Sequence, residues 1–149
     1  MEKINVSSSE IIKVEINDTG FCIELNPLDL DFPLKIDETS RTMERDLEKL
    51  KVEIDLIDKK TDKMDGSFSQ NTKAKLIKIR DFNKKQGQLV DELFGEGTTK
   101  AAFGDKNYFG MFNDFFDSLN PIIKKIYGNP SDIFDRVKNK YKKNDSDVL

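Results

Sequence analysis

Apolar and polar residues alternate over residues 12–16 and again over residues 21–25. Between these stretches, Asn17-Asp18-Thr19-Gly20 is typical of a turn, because Gly tolerates positive φ and Asn and Asp favour turns. The pattern predicts a β-hairpin with one apolar face. An isolated hairpin is marginal in water, so we expect this face to pack on helices or on another chain.

The hydrophobic period changes after the hairpin. Pro27 and Pro33 limit regular structure, so residues 26–34 are predicted to form an extended connector. From Ile36 onwards, apolar residues are spaced by 7, 4, 3, 4, 3 and 7 positions, which is the spacing of a coiled-coil seam. We predict a long, heptad-patterned helix over residues 37–63. Its candidate seam consists of Met43, Leu47, Leu50, Ile54 and Ile57, flanked by Ile36 and Met64.

The seam is narrow and therefore needs a long partner helix. An antiparallel mate within the chain is favoured, because short seams with an adjacent helix usually fold back on themselves. Pairing of two chains, giving a homo-oligomer, is the alternative. The mate is predicted to follow the break at residues 65–67, with Ser69 or Asn71 as its cap, and to end at Phe94 before Gly95.

Three of the eight glycines lie in residues 95–104, GEGTTKAAFG. A phosphate-binding loop is rejected, because no apolar strand precedes the segment and its Lys does not follow Gly in the GK[ST] order. Thr98 as the cap of a short helix that ends at Gly104 explains the same residues.

The most apolar stretch, residues 107–128, is predicted to be a helix with apolar residues around more than half of its circumference. Pro121 is expected to start a new turn or to kink this helix, and Gly128 to end it. Such a helix lies either in the core or exposed as a docking face, and both interpretations stay open. The candidate partner-binding residues are Tyr108, Phe109, Phe112, Phe115 and Phe116.

Together these elements predict a mostly α protein with a small β part. The expected architecture is an N-terminal β-hairpin followed by a bundle of four or five helices, the last over residues 132–141. We predict one hairpin-plus-helical domain over residues 10–143, a flexible arm over residues 1–9 and a polar tail over residues 144–149.

Composition argues against catalysis. The sequence has no His and one Cys, Cys22, so it lacks the usual acid–base residue near neutral pH and has no Cys–His pair. We expect no metal site, no cofactor and no enzymatic activity. Cys22 is interpreted as a small, buried strand residue, since free Cys is usually buried. Asp29 and Asp31 are interpreted as solvated loop acids, because hard cations need several oxygen ligands.

Charge is unevenly distributed along the chain. The net charge is -3 overall, about -7 over residues 1–65 and +4 over residues 66–149. The overall balance disfavours nucleic acid as the main partner, although the basic second half keeps salt-dependent binding as an alternative. No segment resembles a signal peptide or a membrane span, so a cytoplasmic protein without a membrane partner is expected.

The order of features, from a short polar hairpin through a charged helical middle, leads to residues 91–125, DELFGEGTTKAAFGDKNYFGMFNDFFDSLNPIIKK. Within them, LFGEGTxxxxFG covers residues 93–104, an aromatic helix follows, and a Leu-Asn-Pro turn lies at residues 119–121. This segment resembles the tail assembly chaperones encoded by tailed phages and prophages of Gram-positive bacteria. Outside it, the chain resembles them in general layout only.

The resemblance implies a small protein of the host bacterial cytoplasm that binds the long apolar tape measure protein and recruits tail tube subunits. It implies no catalytic residues. Because the same group of genes encodes virion parts, a structural role, such as a tail completion or connector protein, is the alternative.

Overall fold

The computed structural model describes residues 1–4 and 10–128. Most of the predicted arm, the predicted helix at residues 132–141 and the predicted tail lie outside the described residues. The described part is mostly helical with a small β part, which confirms the predicted fold class. In chain order its elements are β1 (Ile12–Glu15), β2 (Cys22–Leu25), α1 (Asp31–Asp58), β3 (Met64–Asp65), β4 (Phe68–Ser69), α2 (Gln70–Phe94), α3 (Thr98–Phe103) and α4 (Met111–Tyr127).

The predicted hairpin is present, with β1 and β2 paired antiparallel. Its turn places Asn17 and Gly20 at φ of 51° and 78°, in the left-handed region that Asn and Gly tolerate. The Asn17 side chain donates hydrogen bonds to the carbonyl oxygens of Ala101 (3.3 Å) and Ala102 (3.1 Å). Carbonyls at a helix end lack partners inside the helix, so Asn17 fixes the hairpin to the end of α3.

The apolar face of the hairpin packs on helices, and together they form the end of the molecule that we call the base. In the base, the Phe32 ring lies 5.8 Å from the Phe94 ring and 5.3 Å from the Tyr127 ring. The Tyr127 hydroxyl donates to the Asn26 carbonyl oxygen at 3.0 Å. The buried residues of this core are Ile16, Ile23, Leu25, Phe32, Ile126 and Tyr127.

The prediction that Cys22 is buried is wrong, since its side chain is exposed. Successive strand residues point to opposite faces, and the neighbouring Ile23 and Leu25 are almost fully buried. Cys22 therefore faces away from the core.

The predicted bounds of the long helix are also wrong. The helix α1 begins at Asp31, six residues early, and includes Pro33 in its first turn. Proline is tolerated there because the first N–H groups of a helix have no partner within it. The connector is therefore shorter than predicted. At its other end α1 stops at Asp58, and Met64 lies in β3 with 72% of its surface exposed.

The helices α1 and α2 form an antiparallel pair within the chain. Lys75 lies 2.7 Å from Asp58 near the turn, and Lys85 lies 2.9 Å from Asp46 further along both helices. The turn carries the small β3–β4 hairpin, where the sequence had indicated only a break. Of the two predicted caps, Ser69 is the one used, and its hydroxyl accepts from the Thr72 N–H at 3.1 Å.

The short helix α3 packs closely on α2 at Gly87. A Cβ at Gly87 would lie 3.2 Å from the Thr99 side chain, and the Thr99 hydroxyl donates to the Gly87 carbonyl at 3.0 Å. The predicted cap is wrong: Thr98 is the first residue of α3, and its hydroxyl donates back to the Gly95 carbonyl at 2.7 Å. Asp91 of α2 instead accepts the Thr99 N–H, at 2.8 Å.

A single helix, α4, spans both sides of Pro121 and ends at Gly128. Of the two predicted alternatives at Pro121, a new turn or a kink, the new turn is absent. Each end of α4 joins a different core. Its C-terminal end joins the base, and its N-terminal end forms a second core of Val90, Met111 and Phe112.

Candidate functional site

An open cleft with a volume of about 280 Å³ lies where the middle of the α1–α2 pair meets the start of α4. We call it the groove. It combines residues of the predicted seam with residues of the predicted aromatic set, which are far apart in the sequence. The groove is lined by Met43, Glu44, Leu47, Leu50, Ile79, Phe82, Asn83, Gln86, Phe109, Gly110, Phe112, Asn113 and Phe116.

The wall formed by α1 contains the first three residues of the candidate seam, Met43, Leu47 and Leu50. Leu47 is 40% exposed although it belongs to the seam, so α2 does not cover it fully. The other two seam residues lie beyond the groove towards the turn. Ile57 is buried there, and Ile54 is half-buried.

The opposite wall contains three of the five candidate aromatic residues. Phe109 is 86% exposed at the rim, while Phe112 is only 7% exposed and belongs to the second core. Phe116 is half-buried between these extremes. The remaining two lie outside the groove lining. The Tyr108 ring packs edge-on against Phe103, and the Phe115 ring contacts Phe94, Phe103 and Phe116.

Two asparagines hold the loop that presents Phe109. The buried Asn83 side chain of α2 donates to the Asn107 side-chain oxygen at 2.8 Å and to the Tyr108 carbonyl at 3.1 Å. Asn107 in turn donates to the Arg80 carbonyl at 3.3 Å. These bonds fix the loop over α2 and so orient Phe109. Sequence reasoning missed both asparagines, because a pair of amides 24 positions apart leaves no periodic signal.

The groove lining contains a buried polar group that no described residue pairs with. Gln86 is only 4% exposed, and its side-chain nitrogen Nε2 has no hydrogen-bond partner among residues 1–4 and 10–128. Glu44 is the one charged residue of the lining, and it forms no ion pair within the described part of the chain. Sequence reasoning missed Gln86 as well. A signal existed, because Gln86 lies four positions after Phe82 and four before Val90 on the apolar side of α2.

Among residues 1–4 and 10–128, no group of three or more His, Cys, Asp or Glu side chains could hold a metal ion. The pKa of Asp62 is lowered, mainly because the Asn71 backbone N–H donates to its carboxylate, but Asp62 lies in the turn after α1 and does not line the groove. The groove offers apolar contact area, the side-chain amides of Asn83, Gln86 and Asn113, and the carboxylate of Glu44.

No family model matches the sequence, and neither a curated protein nor a solved structure matches it. Within the described residues, no helix is long and apolar enough to cross a membrane.

Proposed function

We propose that this protein is a non-enzymatic assembly chaperone or adaptor that binds phage tail proteins, the tape measure protein first among them, through the groove. The observation that carries the proposal is Phe109, which stands 86% exposed beside an open apolar groove. The resemblance of residues 91–125 to phage tail assembly chaperones supports the choice of partner. The proposal includes action in the cytoplasm of the host bacterium.

The groove has the composition of a protein-binding surface. Aromatic residues that fill well-packed pockets contribute much of the energy of protein–protein interfaces, and exposed apolar patches with a polar rim mark such sites. Small-molecule pockets usually enclose about 300–1,000 Å³ and bury most of their ligand. A cleft of about 280 Å³ lies at the lower end of this range and suits a few side chains of a larger partner.

Co-expression with the tape measure protein of the same phage or prophage tests the proposal. We expect a soluble complex that survives affinity capture and gel filtration, and a tape measure protein that aggregates when expressed alone. The major tail tube protein, co-expressed in the same way, tests the recruiting role. If neither tail protein is captured, the proposed function is wrong.

Mass spectrometry of purified virions separates the chaperone from the alternative, a tail completion or connector protein. A chaperone is expected to be absent from finished particles. A fixed number of copies per virion would replace the proposed function with the structural one.

A further inference from the structure

The side-chain nitrogen of Gln86, which no described residue pairs with, is the most informative feature of the groove. A buried donor that finds no acceptor costs free energy, and native proteins leave few such groups. Gln86 lines the floor of the groove at 4% exposure, with Nε2 unbonded. This nitrogen is itself buried, so a ligand that brings a hydrogen-bond acceptor into the groove would satisfy it after a rotation of the Gln86 side chain.

Glu44 favours a partner that carries a positive charge. The acidic residues near it on α1 are already neutralised, because Asp46 pairs with Lys85 and Glu48 pairs with Lys51. Glu44 is exposed, lines the groove and forms no ion pair with any described residue. A Lys or Arg on the bound partner would complement it.

The walls of the groove favour a helix as the partner. The backbone N–H and C=O groups in the middle of α1, α2 and α4 are used inside those helices, so an extended strand would find no backbone pairing there. Met43, Leu47 and Leu50 on one side and Phe112 and Phe116 on the other repeat at spacings of three and four. Such rows form ridges and grooves into which another helix packs.

We propose that the groove binds an amphipathic helix of the partner protein that carries an uncharged polar residue within its apolar stripe. That residue, an Asn, Gln, Ser or Thr, accepts a hydrogen bond from Gln86, and a Lys or Arg beside the stripe faces Glu44. Gln86 is then the residue that determines specificity. This inference rests on the proposed protein-binding function and specifies the chemistry of the partner.

Two synthetic helical peptides of about 18 residues, each with a Leu stripe flanked by Lys, test the inference. They differ only at the centre of the stripe, which is Gln in one and Leu in the other. Fluorescence anisotropy measures their binding to wild-type protein and to Gln86→Met. We expect wild-type protein to prefer the Gln peptide by about tenfold, because the Leu peptide leaves Gln86 unpaired. Gln86→Met should prefer the Leu peptide.

A matched control is Gln88→Met, which makes the same change at an exposed position of α2 outside the groove lining. It should leave both affinities unchanged. Free Gln86→Met should also melt about 3–5 °C higher than wild type, because it no longer buries an unpaired amide. A rise in Tm together with a reversed peptide preference is not expected of a residue that serves only the fold.

Three results would overturn the inference. The first is that wild-type protein binds neither peptide. The second is that Gln86→Met changes the affinity for both peptides equally. The third is that light scattering shows a dimer that Phe109→Ala abolishes. The last would mean that a second copy fills the groove. Capture of the tape measure protein without peptide selectivity would leave the proposed function standing and remove only this inference. If Gln86→Met reverses the peptide preference but no tail protein is captured, the inference stands and the proposed function is wrong.

Discussion

Phe32 in the base and Phe109 at the groove are the same type of residue in opposite settings. Phe32 is 8% exposed and its ring contacts those of Phe94 and Tyr127, whereas Phe109 is 86% exposed. In the base, the β-hairpin closes over the ends of α1 and α4. At the groove, the start of α4 covers only part of the apolar side of α1 and α2, and Leu47 stays 40% exposed. The difference suggests that the base maintains the fold and that the groove is available to a partner.

The largest effect is expected for Phe32→Ala. Removing a core Phe typically costs about 3–5 kcal/mol, which is a large share of the stability of a domain. Urea unfolding followed by circular dichroism measures the loss. The comparison fails if Phe32→Ala and Phe109→Ala lower the free energy of unfolding equally.

Phe109→Ala is expected to weaken partner binding while leaving the stability of the fold almost unchanged. Its free energy of unfolding should change by less than about 0.5 kcal/mol, as for most surface substitutions. Its affinity for the captured tail protein should fall by about 30-fold or more, the loss that defines an interface hot spot. Phe68→Ala is the control, because Phe68 is also exposed, at 54%, but lies in β4 outside the groove. Equal losses of binding in both variants would show that the effect is not specific to the groove.

Two ion pairs between α1 and α2, Asp46–Lys85 and Asp58–Lys75, are expected to contribute different, smaller amounts to stability. Both Asp46 oxygens lie within 3.0 Å of the Lys85 Nζ, and the Asp46 side chain is only 17% exposed. Lys85→Ala leaves this carboxylate partly buried and unpaired, so we expect a loss of about 1–2 kcal/mol. Lys75→Ala breaks the pair with Asp58, which is 52% exposed, and should cost less than about 1 kcal/mol. Thermal melts at low and high salt distinguish the two.

The smallest expected effect concerns Asp62 in the turn between α1 and α2. Its pKa is lowered from the ordinary value of 3.8 because the Asn71 N–H donates to the carboxylate. A lowered pKa in the folded state gives stability that is present above pH 3.8 and is lost as the pH falls through the folded value. NMR titration of the Asp62 carboxyl carbon should give a midpoint below 3.8. A midpoint at or above 3.8 would contradict the hydrogen bond.

Local patterns account for the elements that the sequence predicted well. Strict alternation identified the hairpin, and the turn residues from Asn17 to Gly20 fixed its position. Spacings of three and four identified α1, α2 and α4. The errors arose where one residue type permits two conformations. Pro33 suggested a connector, but it fits in the first turn of α1, and Thr98 suggested a cap when Asp91 provides one.

The groove itself could be predicted only in part. The sequence supplied both walls, as the candidate seam and the candidate aromatic set, but periodicity does not show which aromatic residue is buried. Phe112 and Phe109 differ because Asn83 holds the loop before α4 over α2, a contact between distant residues. Gly87 is another example. Its cost within a helix is evident from the sequence, while its close approach to Thr99 requires the structure.

The bond between Tyr127 and Asn26 joins residues 101 positions apart. Closing so long a loop is entropically costly, and contacts between distant residues slow folding. During synthesis, the hairpin and the start of α1 leave the ribosome long before α4 exists. The part of the base core that Ile126 and Tyr127 cover therefore stays open until residue 127 has emerged, while the α1–α2 pair can form earlier from contacts closer in sequence. The second wall of the groove arrives with the same α4, so the chain becomes able to bind a partner at about the time its base closes.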